Sequence, residues 1–210
     1  MTDLVLMPTL IQNRADKLLL ASGSAARRRI LENAGLDFDV EASPVDETPL
    51  KQMGRQQNWS ADTVALRLAE AKAQSVQKPD TIVIGADQML SCEGVWYDKP
   101  EGLEGARQQL LQLRGKTHSL HTAVVLCFNG QILWHHVSSP RLTMRMFSLE
   151  SVEHYLSLEG AACLGSVGSY RLEGPGIQLF AAIEGDAFSI QGLPLLPLVA
   201  ALRDLKVLQD

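Results

Sequence analysis

The densest concentration of chemistry in the sequence is Ser22-Gly23-Ser24-Ala25-Ala26-Arg27-Arg28-Arg29. The short apolar run Lys17-Leu18-Leu19-Leu20-Ala21 precedes it and reads as a buried strand that breaks into a turn, whose serines can cap a helix. Hydroxyls and free backbone N–H groups at a helix start, with guanidinium groups nearby, make an anion site, and phosphate is its natural ligand. The segment matches neither GxxxxGK[ST] nor GxGxxG. A capped helix carrying a solvated arginine run fits the same residues.

Asp46-Glu47 and Asp87 supply carboxylates, and Lys72 and Lys99 supply cations that could meet a polyphosphate. Carboxylates beside phosphate-binding cations suit Mg²⁺-assisted hydrolysis of a phosphoanhydride. Each residue also has a plain reading: Lys72 as a snorkelling helix lysine, Lys99 before Pro100 as a loop cation, Asp46-Glu47 as surface turn residues. Asp87 is harder to explain by packing. It closes the β-branched run Thr81-Ile82-Val83-Ile84 after Gly85-Ala86, at the strand end where α/β sheets place ligands.

Other chemistries are poorly supported. His118 and His121 would face opposite sides of a strand, and His135 and His136 would also diverge, so they read as structural rather than as metal ligands. No GxSxG nucleophile elbow and no reactive cysteine context is present, and the glycine fingerprint of dinucleotide enzymes is missing.

The elements that must position these residues follow from periodicity. Ala26, Ile30, Leu31 and Ala34 trace one helix face, with Gly35 as its stop, and Phe38–Val40 reads as a short strand. Lys51 to Ser60 reads as a polar surface loop, after which Ser60 caps a helix from about Ala61 to Val76 with Lys72 bordering its buried face. A helix over Glu104–Leu113 precedes a hairpin about Asn129-Gly130 and a third strand carrying Leu142, Met144 and Met146. Ser148 opens another helix, a glycine-rich passage follows, and Pro194 begins the last helix. Strands interleaved with helices, then a meander, predict a mixed-sheet α/β protein with two lobes around a cleft.

Composition agrees with a globular chain: 210 residues, 46% hydrophobic and 20% charged, with net charge -5. That balance argues against broad attraction to nucleic acid. No run approaches the roughly 18 apolar residues of a membrane helix, so no membrane partner is expected. Three widely spaced cysteines, Cys92, Cys127 and Cys163, form neither a disulfide framework nor a zinc knuckle, and a cytoplasmic location follows. Residues 1–16 read as a weakly structured N-terminal extension and 17–210 as a single domain.

At this level of detail the chain resembles the Maf family of nucleoside triphosphate pyrophosphatases. Leu19-Leu20-Ala21-Ser22-Gly23-Ser24-Ala25-Ala26-Arg27-Arg28 is similar to the family's LASxSPxRR, and Pro44-Val45-Asp46-Glu47-Thr48 to its PxxDET. Ala69-Glu70-Ala71-Lys72-Ala73 resembles A-x-x-KA, Ile84-Gly85-Ala86-Asp87 resembles IG[AS]D, Lys99-Pro100 the GKP element, and Gly192-Leu193-Pro194 the terminal GLP. The resemblance implies a Maf- and ITPase-like fold: a mixed, elongated sheet flanked by helices, two lobes around a deep cleft. It also implies a divalent cation, Mg²⁺ or Mn²⁺, a homodimer, and cleavage between the α and β phosphates to a nucleoside monophosphate and pyrophosphate. By the same resemblance Asp87 is the catalytic proton acceptor or a metal ligand, Glu47 binds the metal, and Ser22, Arg27, Arg28, Lys72 and Lys99 contact the triphosphate.

Ala26, Gln88 and Glu173 fall at the family's specificity positions. Asp87-Gln88, with Cys163-Leu164-Gly165-Ser166 and Glu173-Gly174, looks like part of the 7-methyl-GTP subgroup's pattern. The sequence departs from the family at Ala25, where proline is usual, at Asp98, where glycine is usual, and at Ala26, where the subgroup carries a bulky residue. A non-catalytic nucleotide-binding regulator of cell division is the competing expectation. Retention of Asp87 favours the enzyme, because a binding protein has no need of a carboxylate facing an anion.

Overall fold

In the computed structural model, which describes residues 12–13, 17–76 and 78–209, the apolar run Lys17–Leu20 forms strand β1 with Leu18, Leu19 and Leu20 buried. Ser24 caps helix α1 (Ala25–Asn33) by accepting from the Arg27 backbone N–H, and Gly35 takes the left-handed φ of +73° that ends the turn. Strand β2 (Asp39–Val40), helices α2 (Thr48–Gln56) and α3 (Ala61–Ser75), and strands β3 (Thr81–Cys92) and β4 (Val95–Tyr97) follow. Next come α4 (Gly102–Leu113), β5 (Thr117–Phe128), β6 (Gln131–Ser138), β7 (Arg141–Met144) and α5 (Leu149–Glu159). Three short 3₁₀ turns between Gly160 and Leu179 lead to β8 (Phe180–Glu184), α6 (Ala187–Ile190) and α7 (Leu195–Asp204).

The strands form one mixed sheet in the order β2-β1-β3-β5-β7-β8, with β4 beside β3 and β6 beside β5. Its two long members, β3 and β5, pair antiparallel from Ile82↔Phe128 to Ser91↔Ser119 and run through the whole molecule. At one end α1 and α7 cover one face, with Leu20, Leu31, Ile84, Val124 and Leu202 in the core, and α3 covers the other with Leu68, Ala69, Val83 and Val125. At the far end Leu90, Leu110, Leu120, Leu142 and Tyr155 close a separate core beneath α4 and α5. The expected α/β fold with lobes at either end of an elongated sheet is the observed one.

Two expectations need correction. Residues 51–60 are not simply a surface loop, because α2 continues to Gln56. Gly54 lies within it, and a Cβ there would meet Val64 Cγ2 at 2.6 Å, so the glycine permits close packing of α2 on α3. Asp87 also does not close a strand. The backbone remains in β3 to Cys92, five residues beyond it. Most of the extension expected over residues 1–16 lies outside the described residues. Gln12 bridges to Leu208 and exchanges two hydrogen bonds with the Asp37 backbone.

Candidate active site

The site forms where one edge of β3 changes partner. β1 runs parallel to β3 as far as Leu20↔Ile84, and β4 takes up the same edge antiparallel from Leu90↔Tyr97. Between those contacts the opposite edge stays paired with β5, while Asp87 and Gln88 line a cleft of about 770 Å³. Asp87 and Gln88 therefore reach the cleft from opposite faces of one strand.

Asp87 points to the α3 side, sharing that face with Val83 and Met89. A Cβ on Gly85 would lie 2.3 Å from the Ala69 carbonyl oxygen, so only glycine lets α3 approach this closely. The approach brings Lys72 Nζ to 2.6 Å from Asp87 Oδ1 and 2.6 Å from Glu47 Oε1. Asp87 is 4% exposed, and its Oδ2 is buried with no hydrogen-bond partner among the described residues. Glu47 opens α2 and also accepts from Lys51 Nζ at 2.8 Å, while Lys51 reaches Asp98 at 2.7 Å. Burial pushes the Glu47 carboxyl up, but Lys72 and Lys51 outweigh it and hold the group at about 2.

The anion end is built on the β1–α1 turn. Ser22 Oγ accepts from the Ser24 N–H at 3.3 Å and from Arg27 Nη1 at 3.0 Å, and Arg27 Nε donates to the Gly192 carbonyl at 2.7 Å. Burial lowers the Arg27 pKa, and Asp87 and Glu47 act in the opposite direction. With two of its five N–H donors engaged, Arg27 keeps the others for a ligand. Gly23 to Ala26 line the cleft at the positive end of α1.

The structure brings together Ser22, Arg27, Lys72, Lys99, Glu47 and Asp87 in this one cleft. It also gathers Ala26, Gln88 and Glu173, which line a side pocket of about 40 Å³ with Tyr170 and Arg171. Arg28 lies outside the lining, its Nε 2.6 Å from Glu32 on the exposed flank of α1. Arg29 lines the cleft in its stead, as do Lys51, Asp98 and Arg171, which no local sequence pattern marks as ligand contacts. Lys51 stands four residues after Glu47, a spacing that signals an ion pair only once α2 is recognised.

The histidines are placed structurally. His118 is buried against Tyr170, its Nε2 2.7 Å from the phenol oxygen, and burial lowers its pKa to about 4. His121 joins Asp62 at 2.7 Å to Ser91 at 2.8 Å, an arrangement that resembles a hydrolytic triad. Ser91 lies on β3 and pairs with Trp96 on β4 and Ser119 on β5, and the chain of bonds through His121 ties Asp62 at the start of α3 to the sheet. Among the described residues no group of three or more His, Cys, Asp or Glu side chains is arranged to hold a metal unaided. No helix there is long and apolar enough to cross a membrane.

The family model described as "Maf-like protein" matches residues 17–205. The chain belongs to this family. A relative from Granulibacter bethesdensis, named nucleoside triphosphate pyrophosphatase, is 54% identical over 189 residues, 89% of this chain and 96% of that protein. One of the same name from Rhodospirillum rubrum is 50% identical over 188 residues, 89% of this chain and 93% of its own length. A relative from Mesorhizobium japonicum named 7-methyl-GTP pyrophosphatase is 48% identical over 192 residues, 90% of this chain and 96% of the relative. The Maf motifs converge in the fold: the β1–α1 turn, Glu47, Lys72, Asp87 and Lys99 meet at the cleft, while Gly192 anchors Arg27.

Proposed function

We propose that the chain is a hydrolase of phosphoric anhydride bonds that converts nucleoside triphosphates to the monophosphate and pyrophosphate in this cleft. The reading rests chiefly on one observation: a buried carboxylate with one oxygen on Lys72 and the other unpartnered, within a cleft that gathers Arg27, Arg29, Lys51, Lys72, Lys99 and Arg171. Such cations suit a ligand carrying about four negative charges, even though the chain is acidic overall.

Lys72 keeps Oδ1 of Asp87 engaged and leaves Oδ2 as the free oxygen. Oδ2 then accepts a proton from the water that attacks the α-phosphorus, while the bond from that phosphorus to the bridging oxygen breaks and its electrons leave with pyrophosphate. Ser22, Arg27 and Lys99 bind the phosphate chain. The donor set also fits a divalent ion: two carboxylates stand on one ammonium, one with a free oxygen, and substrate phosphates would complete its coordination. Mg²⁺ or Mn²⁺ held by Glu47 and Asp87 would neutralise charge on the phosphate oxygens. The three cysteines are free and buried, which suits a reducing compartment, and we place the protein in the cytoplasm.

The test is pyrophosphate release from dTTP, UTP, CTP, GTP and 7-methyl-GTP with Mg²⁺ or Mn²⁺. Wild type should release it from at least one, and Asp87→Asn should lose about a thousandfold or more in kcat with the fold intact. Unchanged metal affinity in that variant marks Asp87 as the proton acceptor, and weakened affinity marks it as a ligand. Wild-type failure on every triphosphate would leave a nucleotide-binding regulator.

A further inference from the structure

The side pocket contains an amide whose orientation is forced. Gln88 and Thr122 are direct cross-strand partners on β3 and β5. Gln88 Nε2 lies 2.8 Å from Thr122 Oγ1, 3.0 Å from the Ser189 carbonyl oxygen and 3.1 Å from that of Ile190. The two carbonyls can only accept. Thr122 Oγ1 has one proton, which it donates to the Ser189 carbonyl at 2.9 Å, so toward Gln88 the hydroxyl is an acceptor as well. Reversing the amide would set its oxygen against all three. Nε2 is therefore committed to the protein, whereas Oε1 has no protein partner among the described residues and is absent from their buried, unsatisfied atoms.

We propose that fully buried Thr122 is a positioning residue that fixes the polarity of the Gln88 amide, so that the side pocket meets the nucleobase with hydrogen-bond acceptors. The inference rests on the pyrophosphatase reading for its substrate. Glu173 lines the same pocket with a second acceptor group, its Oε1 3.5 Å from Arg171 Nε, and buried Glu159 stands 3.7 Å behind that guanidinium. The pocket's volume of about 40 Å³ admits the edge of a base rather than a whole ring. Two acceptors call for two adjacent donors. Guanine-type bases offer them at the ring N–H and the 2-amino group. Hypoxanthine lacks the amino group, and adenine and cytosine set one amine beside a ring acceptor.

The experiment compares GTP with ITP in wild type, Thr122→Ser, Thr122→Val and Gln88→Met, with kcat and KM for pyrophosphate release, and in parallel measures GMP and IMP affinity by calorimetry. Wild type and Thr122→Ser should favour the guanine member by about tenfold, through KM rather than kcat and equally in the monophosphate Kd values. Thr122→Val and Gln88→Met should bring both ratios to within about twofold. Each ratio is taken on a single preparation, so partial misfolding of Thr122→Val does not alter it, and Gln88→Met leaves the core intact. A ratio unmoved by both variants, or a wild type indifferent to the 2-amino group, overturns the inference. Guanine-selective binding of monophosphates without pyrophosphate release from any triphosphate overturns the pyrophosphatase reading alone.

Discussion

Asp87 and Lys72 illustrate how much of the site depends on a single contact. Their side chains are 6% and 13% exposed, and Lys72 is the charged partner of Asp87. Removing Lys72 should cost about 3–5 kcal/mol, because Asp87 stays buried and unpaired, whereas Lys72 without Asp87 keeps its contact with Glu47. Lys72→Met should therefore lower the denaturant midpoint and reduce pyrophosphate release by at least about a hundredfold. The double variant Lys72→Met/Asp87→Asn removes both charges and should recover most of the stability with none of the activity. Chemical denaturation of the three variants decides it, and a loss in the double variant equal to the sum of the two single losses would show that the pair is uncoupled. At this scale the sequence was informative where a residue type contradicts its surroundings. An acid after a β-branched run and hydroxyls before a helix were legible, whereas Lys51 and Arg171 look like any surface cations until their elements are placed.

Two glycines account for most of the difference between the local pattern and the observed elements. Gly85 after Thr81–Ile84 looks like a strand stop, and Gly54 among polar residues looks like loop, yet each sits inside a regular element because another helix or side chain passes where a Cβ would be. Local pattern does not distinguish a glycine that breaks the backbone from one that permits close approach, because the difference depends on a neighbour distant in sequence. Gly85→Ala should accordingly act twice. The new Cβ displaces α3 at Ala69, destabilising by about 1–3 kcal/mol, and it shifts Lys72 three residues further along, lowering kcat more than the loss of folded protein explains. Calorimetry beside single-turnover rates separates the two effects.

The far lobe carries its own signature in His118. Its pKa lies near 4 in the folded protein and near 6.5 when unfolded, so below 6.5 the unfolded chain binds the extra proton. Stability from the neutral imidazole is complete above pH 6.5 and is lost as pH falls from 6.5 to 4, by up to about 3 kcal/mol. Urea titrations across that range should show the decline in wild type, and His118→Gln should flatten it.

Across the whole molecule, β3 and β5 make the lobes mechanically dependent. β3 contributes Ile84, Val83 and Leu90 to three different core clusters, and β5 contributes Val124, Val125 and Leu120 to the same three. Losing any one cluster would expose residues on strands that the others need, so separate unfolding of the lobes is disfavoured and a single transition is expected. Trp59 and Trp96 pack on the α3-side core and Trp134 on the α7-side core, while Tyr97 packs against the far lobe. Fluorescence and far-ultraviolet circular dichroism should therefore give one midpoint. Arg27 on the near lobe and Glu173 on the far one both line the cleft, so on the proposed function a nucleotide held between them would bind only the assembled sheet. At a hundred times its Kd it should raise the stability of the whole transition by about 2.7 kcal/mol. Two midpoints, with only one moved by nucleotide, would mean that the shared strands do not couple the lobes and that the cleft belongs to one of them.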